Sequence, residues 1–242
     1  MTTSTLPRKV LIAVTSAHAP MYPGGEETGL FITEALHPFL VWQKAGFEID
    51  FASEEGTYVP DHLSLSEDYL KGDDKKIWED KNSDFRKRLD SLKKASDLNA
   101  DEYGVFFAAG GHATLIDFPK AKGLQSVASK IWSKGGIVSA VCHGPAILPG
   151  IIDQSTGKPV ISGKKVTGFM TKGEEELGAL DTIKKWNAAT VESAAAGVGA
   201  EYIKPEGPWA EFTVTDGRLV TGVNPQSAHK TGIEVLNVFE KL

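Results

Sequence analysis

The sequence predicts a three-layer α/β sandwich in which helices cover both faces of a mostly parallel central sheet. Short apolar runs rich in β-branched residues recur along the chain, as expected for strands that are buried on both faces. Patterns of helical period separate these runs. The 242 residues are enough for one large core. We therefore predict one domain of flavodoxin-like fold over residues 1–242, with a small helical insertion.

The first predicted unit is a strand, a helix and a second strand. Lys9–Thr15 is an apolar run of strand length. Glu26–Ala45 carries apolar residues at helical spacing, and Gly46 follows it as a left-handed cap. Phe47–Ala52 is the second strand. Because a helical crossover joins parallel strands, this unit favours a parallel sheet.

The stretch 53–100 differs from the segments around it. It is polar and rich in charge, and its apolar residues are scattered with weak periodicity. This pattern favours a helical insertion or cap at the edge of the sheet. Its charges are more typical of a solvated face than of a binding patch.

The second half of the chain returns to alternating strands and helices. Tyr103–Ala109 and Gly136–Val141 are strand-like and flank a predicted helix at Lys120–Lys134. Asp216 and Gly217 predict a hairpin turn. The remaining predicted elements are strands at Val166–Phe169, Phe212–Thr215 and Leu219–Gly222 and a closing helix at Asn224–Leu242.

Composition excludes several classes of function. The net charge is -6, and no basic run is interleaved with aromatic residues, which argues against a nucleic-acid partner. No apolar stretch has the length of a membrane span, and Met1–Arg8 lacks the apolar core of a signal peptide. The single cysteine cannot form an intramolecular disulfide, which fits a reducing compartment. We expect a cytoplasmic protein that acts on small molecules or proteins.

Cys142 is the strongest candidate for chemistry. It directly follows the predicted strand Gly136–Val141 and precedes His143, at a point where the strand breaks sharply into a predicted helix. A side chain at such an elbow projects above the carboxyl edge of the sheet, where open α/β folds place their ligands. The N–H groups and dipole of the helix would favour a reactive thiolate. The alternative is a buried structural cysteine.

Backbone amides near Cys142 are candidates for binding an oxyanion. The N–H of His143 and an amide from the turn at Gly110 and Gly111 could act together on a carbonyl oxygen that becomes negative as the thiolate attacks. Paired glycines allow the backbone to approach closely. Taken alone, two glycines after a strand are more typical of a simple turn.

Two glutamates have both a structural and a functional interpretation. Glu34 lies on the first predicted helix and, if desolvated, would have a raised pKa and could donate a proton or hydrogen bond to the thiolate. Glu174 begins a predicted helix, where it would complement the dipole, and orienting His143 is its functional alternative. The other histidines are scattered, so we expect no required metal; they are His18, His37, His62, His112 and His229.

Five segments together resemble a known family. They are Thr28–Phe39, Gly110–Thr114, Ala140–Ala146, Val166–Phe169 and Leu219–Ala228. They are similar to the fungal heat-shock-protein-31 branch of the DJ-1/PfpI superfamily, and the likeness runs from about Lys9 to His229.

The resemblance implies a glutathione-independent glyoxalase of the third type, which converts methylglyoxal and other 2-oxoaldehydes to lactate or its analogues without a cofactor. It also implies a homodimer, a role in stress defence, and the nucleus as a second location besides the cytoplasm. By position it makes Cys142 the nucleophile, His143 and Glu174 the other members of a catalytic triad, and Glu34 the acid that contacts the sulfur. The amides of Gly111 and His143, with Gly110 beside them, are assigned to the oxyanion and substrate.

Three other functions remain open on the sequence. A stress-inducible holdase would bind misfolded client proteins through exposed apolar surface. A sensor would use the oxidation of Cys142. A cysteine peptidase would use Cys142 and His143, but a helical insertion over the site would obstruct a peptide chain.

Overall fold

The computed structural model describes residues 6–242 and is built on a sheet of seven strands. In chain order the strands are β1 (Lys9–Ala13), β2 (Glu48–Ser53), β3 (Lys93–Lys94), β4 (Val105–Ala108), β5 (Ile137–Val141), β6 (Thr213–Asp216) and β7 (Leu219–Gly222). Across the sheet the order is β6, β7, β5, β4, β1, β2, β3. Neighbouring strands are parallel except for the hairpin β6–β7. The predicted mostly parallel sheet is confirmed.

Helices cover both faces of this sheet. The α-helices described are α1 (Ile32–Lys44), α2 (Gly72–Glu79), α3 (Asp84–Asp90), α4 (Thr114–Asp117), α5 (Lys122–Ser133), α6 (Thr171–Leu177), α7 (Leu180–Lys185), α8 (Val191–Gly197) and α9 (Ala228–Phe239). Side chains of α1, α3 and α9 pack on one face, and those of α5, α7 and α8 belong to the apolar layer on the other. The predicted three-layer arrangement is therefore confirmed.

The central strand β1 shows how the two apolar layers are divided. Val10 and Ile12 belong to the layer under α1 and α9, whereas Leu11 and Ala13 belong to the layer under α5. All four side chains are fully buried. Because both faces of the strand need apolar residues, the sequence shows a continuous apolar run in place of alternation.

The first helix begins later than the sequence predicts. α1 starts at Ile32, whereas Glu27–Thr28 forms a short antiparallel ladder with Ala19–Pro20. The prediction of a helix from Glu26 was wrong over these first residues, because their polar pattern carries no information about pairing with the preceding loop.

A second correction concerns the segment Val166–Phe169. It is not a strand of the central sheet, since Lys165–Val166 instead pairs with Glu201–Tyr202 in a separate parallel ladder. Phe169 turns toward β5, and its N–H donates to the carbonyl oxygen of Cys142 at 2.7 Å. A short β-branched segment indicates extended backbone but not which neighbour it pairs with.

The polar stretch 53–100 contains α2, α3 and the edge strand β3. The strand was not predicted, because two lysines have no apolar period. Phe85 and Leu89 of α3 are buried in the core, whereas α2 has no buried residue. The stretch therefore lies against the edge of the sheet and also extends it.

The closing helix is also shorter than predicted. A 3₁₀ turn, Pro225–Ser227, precedes α9, and the Asn224 side chain accepts the Ser227 N–H at 3.0 Å. Within residues 6–242 no helix combines the length and apolar character needed to cross a bilayer. The prediction about Met1–Arg8 falls mostly on residues 1–5, which lie outside the described part of the chain.

Trp42 tests the contact between α1 and α9. It is fully buried, its Nε1–H donates to the Gly232 oxygen at 3.0 Å, and its ring meets Phe107 edge-on at 5.1 Å. We expect Trp42→Phe to lower the free energy of unfolding by about 2 kcal/mol, because it removes the donor and leaves a cavity. Urea denaturation measures this. The exposed control Lys87→Ala should change the value by less than about 0.5 kcal/mol, and equal effects of the two changes would contradict the assignment.

Candidate active site

Cys142 sits at a strained turn directly after β5. Its φ angle is +59°, and within residues 6–242 Asn187 is the other non-glycine residue with positive φ. Strain of this kind costs about 1–3 kcal/mol and is concentrated at functional sites. The helix that follows, Gly144–Gly150, is a 3₁₀ helix that contains two prolines. The expected support from an α-helix dipole is therefore weaker than the sequence predicts.

Two backbone hydrogen bonds hold this turn. The Cys142 N–H donates to the Gly222 oxygen of β7 at 3.0 Å, and the Cys142 oxygen accepts the Phe169 N–H at 2.7 Å. The turn is thus fixed on both sides by neighbouring chain segments. It places the Cys142 side chain, which is 3% exposed, at the wall of a cavity.

The cavity has a volume of about 350 Å³. Its reactive side is formed by Gly111, His112, Cys142 and His143. The stretch 53–100 contributes Leu63 and Tyr69 to it, so this stretch borders the site. The remaining walls are largely apolar and include Met21, Tyr22, Phe31, Phe169 and Trp209.

Glu34 reaches the cysteine from α1. It is fully buried, and its Oε2 accepts the Gly110 N–H at 2.8 Å. Its Oε1 has no hydrogen-bonded nitrogen or oxygen partner within residues 6–242. Burial raises the pKa of Glu34 to about 8, against the opposing effects of the Cys142 thiol and the Gly110 amide. At neutral pH the carboxyl group therefore keeps its proton.

Burial also raises the pKa of the Cys142 thiol well above its ordinary value, and the nearby carboxyl groups of Glu34 and Glu174 act in the same direction. The His143 N–H opposes them. The sequence-based expectation of a thiolate favoured by a helix was wrong for the resting site. A thiol with a raised pKa needs an adjacent base when it reacts.

His143 is positioned to be that base. Its Nδ1 lies 3.2 Å from the Cys142 Sγ, and its Nε2 lies 2.7 Å from the Glu174 Oε1. Burial and the neighbouring His112 lower the pKa of His143 to about 4. The ring is therefore neutral at neutral pH.

Glu174 lies in the first turn of α6 and is 1% exposed. Burial alone would raise its pKa, but His143 and His112 together lower it. The carboxylate is therefore ionised and accepts the Nε2–H of His143, which leaves the Nδ1 lone pair of that ring facing the sulfur. Of the two interpretations of Glu174, the contact to His143 supports the functional one, in which the carboxylate orients the histidine.

His112 is the site residue that the sequence reasoning missed. It was treated as one of several scattered histidines, but its Nε2 lies 2.8 Å from the Glu174 Oε2. Its ring centroid is 3.9 Å from that of His143. The available signal was its place directly after Gly110 and Gly111 in a turn already assigned to the site.

Three of these side chains could hold a metal ion. The ligand atoms of His112, His143 and Glu174 lie within 4.8 Å of one another. With Glu174 ionised, however, both Nε2 atoms donate hydrogen bonds to it, and a metal would need their lone pairs. The arrangement therefore fits a hydrogen-bonded network better than a metal centre.

The glycine turn provides space and one free amide. A Cβ on Gly110 would meet Glu34 Oε2 and the His143 nitrogen, and one on Gly111, whose φ is +110°, would overlap the Gly29 oxygen. The Gly110 N–H is already donated to Glu34, so its assignment to an oxyanion is corrected to positioning that carboxyl group. Within residues 6–242 the Gly111 N–H has no backbone acceptor, and the His143 N–H contacts only the Cys142 sulfur.

Comparison with known proteins identifies the family. The model of the DJ-1/PfpI family matches residues 29–237. The chain belongs to the DJ-1/PfpI family. The resemblance drawn from its five sequence segments is confirmed.

Relatives within the DJ-1/PfpI family match over nearly their full length. Glyoxalase 3 of Candida albicans is 53% identical over 96% of this chain and 98% of its own. Glutathione-independent glyoxalase HSP31 of Saccharomyces cerevisiae is 50% identical over 97% of this chain and 99% of its own. The crystal structure of glyoxalase III from Candida albicans superposes with a TM-score of 0.94, covering 97% of this chain and 98% of the other.

The buried Glu34 predicts an unusual dependence of stability on pH. Between its ordinary pKa of 4.5 and its folded value of about 8, the folded chain holds a proton that the unfolded chain releases. The contribution of this one group to the free energy of unfolding should therefore fall as pH rises through this window, by up to about 1.4 kcal/mol per pH unit. His143, whose pKa is lowered from 6.5 to about 4, acts in the opposite direction below about pH 6.5, so the net fall is expected above that pH.

Urea denaturation between pH 5 and pH 8 tests this dependence. Glu34→Gln keeps an acceptor for the Gly110 N–H but does not titrate, so its stability should fall less steeply than that of the parent protein. The exposed control Glu206→Gln should follow the parent. Parallel curves for the parent and Glu34→Gln would show that the buried carboxyl is not the source.

Proposed function

We propose that this chain is a glutathione-independent glyoxalase that converts 2-oxoaldehydes such as methylglyoxal to 2-hydroxy acids such as lactate. The observation that carries the proposal is the Cys142 sulfur, held at a strained turn on the cavity wall with His143 Nδ1 at 3.2 Å. The printed names of the Candida albicans and Saccharomyces cerevisiae relatives support this reaction class.

The first step is addition of the sulfur to the aldehyde carbon. As the S–C bond forms, the thiol proton passes to His143 Nδ1, and Glu174 stabilises the resulting imidazolium. The N–H groups of Gly111 and His143 hold the oxyanion of the hemithioacetal. Protonated Glu34 donates a hydrogen bond toward the sulfur of Cys142 while that atom carries negative charge.

The second step moves a proton between the two carbon atoms of the substrate. A base removes hydrogen from the former aldehyde carbon and gives an enediol, and protonation of the neighbouring carbon then gives a thioester with Cys142. His143 and Glu34 are acid–base groups next to the sulfur. Water attacks the thioester, and the 2-hydroxy acid and the free thiol are released.

The reaction needs no external electron acceptor. One carbon of the substrate is oxidised while its neighbour is reduced, and the sum is one 2-oxoaldehyde plus one water giving one 2-hydroxy acid. We therefore propose a cofactor-independent enzyme in which glutathione is replaced by the protein's own thiol, Cys142.

The cavity favours this reaction over peptide cleavage. Tyr22 and Trp209 stand on its walls together with Leu63 and Tyr69 from the stretch 53–100. The Tyr22 hydroxyl donates to both carboxylate oxygens of Asp61, at 2.8 and 2.9 Å, which fixes the loop beside the cavity. A small carbonyl compound fits such a space, whereas an extended peptide needs an open cleft.

Other properties in the proposal rest on the likeness to heat-shock-protein-31 relatives. We propose a homodimer in the cytoplasm, with the nucleus as a second location, and a holdase activity toward misfolded proteins alongside catalysis. Light scattering during size-exclusion chromatography tests the dimer, and suppression of client aggregation by Cys142→Ala tests whether the holdase activity is separate from the thiol.

Replacing the nucleophile tests the enzymatic proposal. Cys142→Ala should lower lactate formation from methylglyoxal without glutathione by about 10⁴-fold or more, because the covalent route is lost. Because Cys142 is the single cysteine, alkylation with iodoacetamide modifies one thiol and should inactivate the parent protein in proportion to labelling. Lactate formation that survives either change would contradict the proposed mechanism, provided that circular dichroism shows intact folding.

A further inference from the structure

His112 is a buried histidine to which the steps above assign no chemistry. It is 8% exposed and lines the same cavity as Cys142 and His143. It shares the carboxylate of Glu174 with His143, and the two rings are 3.9 Å apart between centroids. The steps above need one catalytic histidine, so they do not explain why the cavity contains a second.

The shared carboxylate determines which nitrogen atom of each ring is free. Glu174 is ionised and accepts hydrogen bonds from both Nε2 atoms, through Oε1 for His143 and Oε2 for His112. Each ring therefore carries a proton on Nε2, which leaves Nδ1 as the ring nitrogen that is available for proton exchange. Each histidine can take up and deliver one proton at Nδ1 without losing its contact to Glu174.

The two rings differ in what surrounds them. His143 is 1% exposed, its Nδ1 faces the sulfur at 3.2 Å, and its ring packs against His112 and, at 4.6 Å, Phe169. It therefore serves the carbon atom that is bonded to sulfur. His112 has its hydrogen bond to Glu174 and none to the sulfur, and at 8% exposed it is more open to the cavity, where it can exchange protons with solvent.

We propose that His112 is a second acid–base residue that protonates the enediol at the carbon next to the one bonded to sulfur, and thereby determines the handedness of the 2-hydroxy acid. This inference rests on the proposed glyoxalase function. His143 first returns the thiol proton to the hemithioacetal oxyanion and is neutral again. It then removes the proton from the sulfur-bearing carbon, while the neighbouring carbonyl oxygen gains a proton from solvent. His112, charged by a proton from solvent, then forms the new C–H bond, and the hydroxyl proton of the enediol at the sulfur-bearing carbon is lost as the thioester carbonyl forms.

His112→Gln is the informative variant. Glutamine retains an N–H that can reach Glu174 but cannot donate a proton to carbon, so the network is kept and the acid is lost. We expect kcat to fall about 10²-fold or more. The lactate that still forms should change from one enantiomer to a mixture, because water then protonates the enediol from either face. Stereospecific lactate dehydrogenases measure the two enantiomers, and the exposed His229→Gln is the matched control.

A second measurement applies even if the variant forms too little product. Methylglyoxal carrying deuterium on the aldehyde carbon should still lose that deuterium to water in His112→Gln, because His143 removes it. In the parent protein the lactate should carry no deuterium at the carbon bearing the new hydroxyl group, since its proton comes from solvent by way of His112.

Three results would overturn the assignment of His112. The first is lactate of undiminished enantiomeric purity from His112→Gln, which would reduce the residue to holding Glu174. The second is transfer of the aldehyde deuterium to the neighbouring carbon in the parent protein. The third is failure of His112→Gln to release that deuterium to water. Absence of lactate from the parent protein would instead reject the glyoxalase function itself.

Discussion

The left-handed turn at Cys142 is fixed by the hydrogen bond that its N–H donates to β7 and by the one that its carbonyl oxygen accepts from the Phe169 N–H. The positions of the other reactive groups depend on this turn. With φ at +59° the sulfur lies on the cavity wall, and the next residue, His143, can reach both that sulfur and Glu174. An extended strand would send these adjacent side chains to opposite faces. The strain is balanced by the two hydrogen bonds and by close packing around the turn, whose residues are nearly all buried.

The ionisable groups of the site carry little net charge for their number. Glu34 is neutral because burial outweighs its single amide contact, and the histidine His143 is neutral for the same reason. Glu174 is ionised, and two imidazole N–H groups solvate its charge. An apolar interior tolerates one well-solvated charge far better than several unpaired ones. The site can therefore be dry enough for carbonyl chemistry and still contain an ionised carboxylate.

The sequence predicted much of the fold because buried parallel strands have a strong local pattern. The strand before Cys142 and the glycine turn were predicted from such local patterns. The pairing partner of Lys165–Val166 was not predicted, because tertiary packing decides which strand lies alongside another.

The candidate site was only partly readable for a related reason. Cys142 is the single cysteine and follows a strand directly, which are local signals. Glu34 and Glu174 look like ordinary helical glutamates, and family resemblance was needed to single them out. His112 was not predicted as a site residue because its partner, Glu174, is 62 positions away along the chain, and no rule of sequence spacing connects the two. Desolvation makes Glu34 unusual and the two histidine neighbours make Glu174 unusual, and both effects depend on the completed core.

The short edge strand β3 has a consequence for how the molecule behaves in a crowded solution. Exposed sheet edges present unpaired backbone groups on which another chain can assemble. Here that edge is two residues long, and both are lysines, held by ion pairs at 2.7 Å to Asp50 and 3.0 Å to Glu55. A second chain could form very few backbone hydrogen bonds with this short strand, and it would have to displace two charged side chains to do so. The edge thus resists growth into intermolecular sheets.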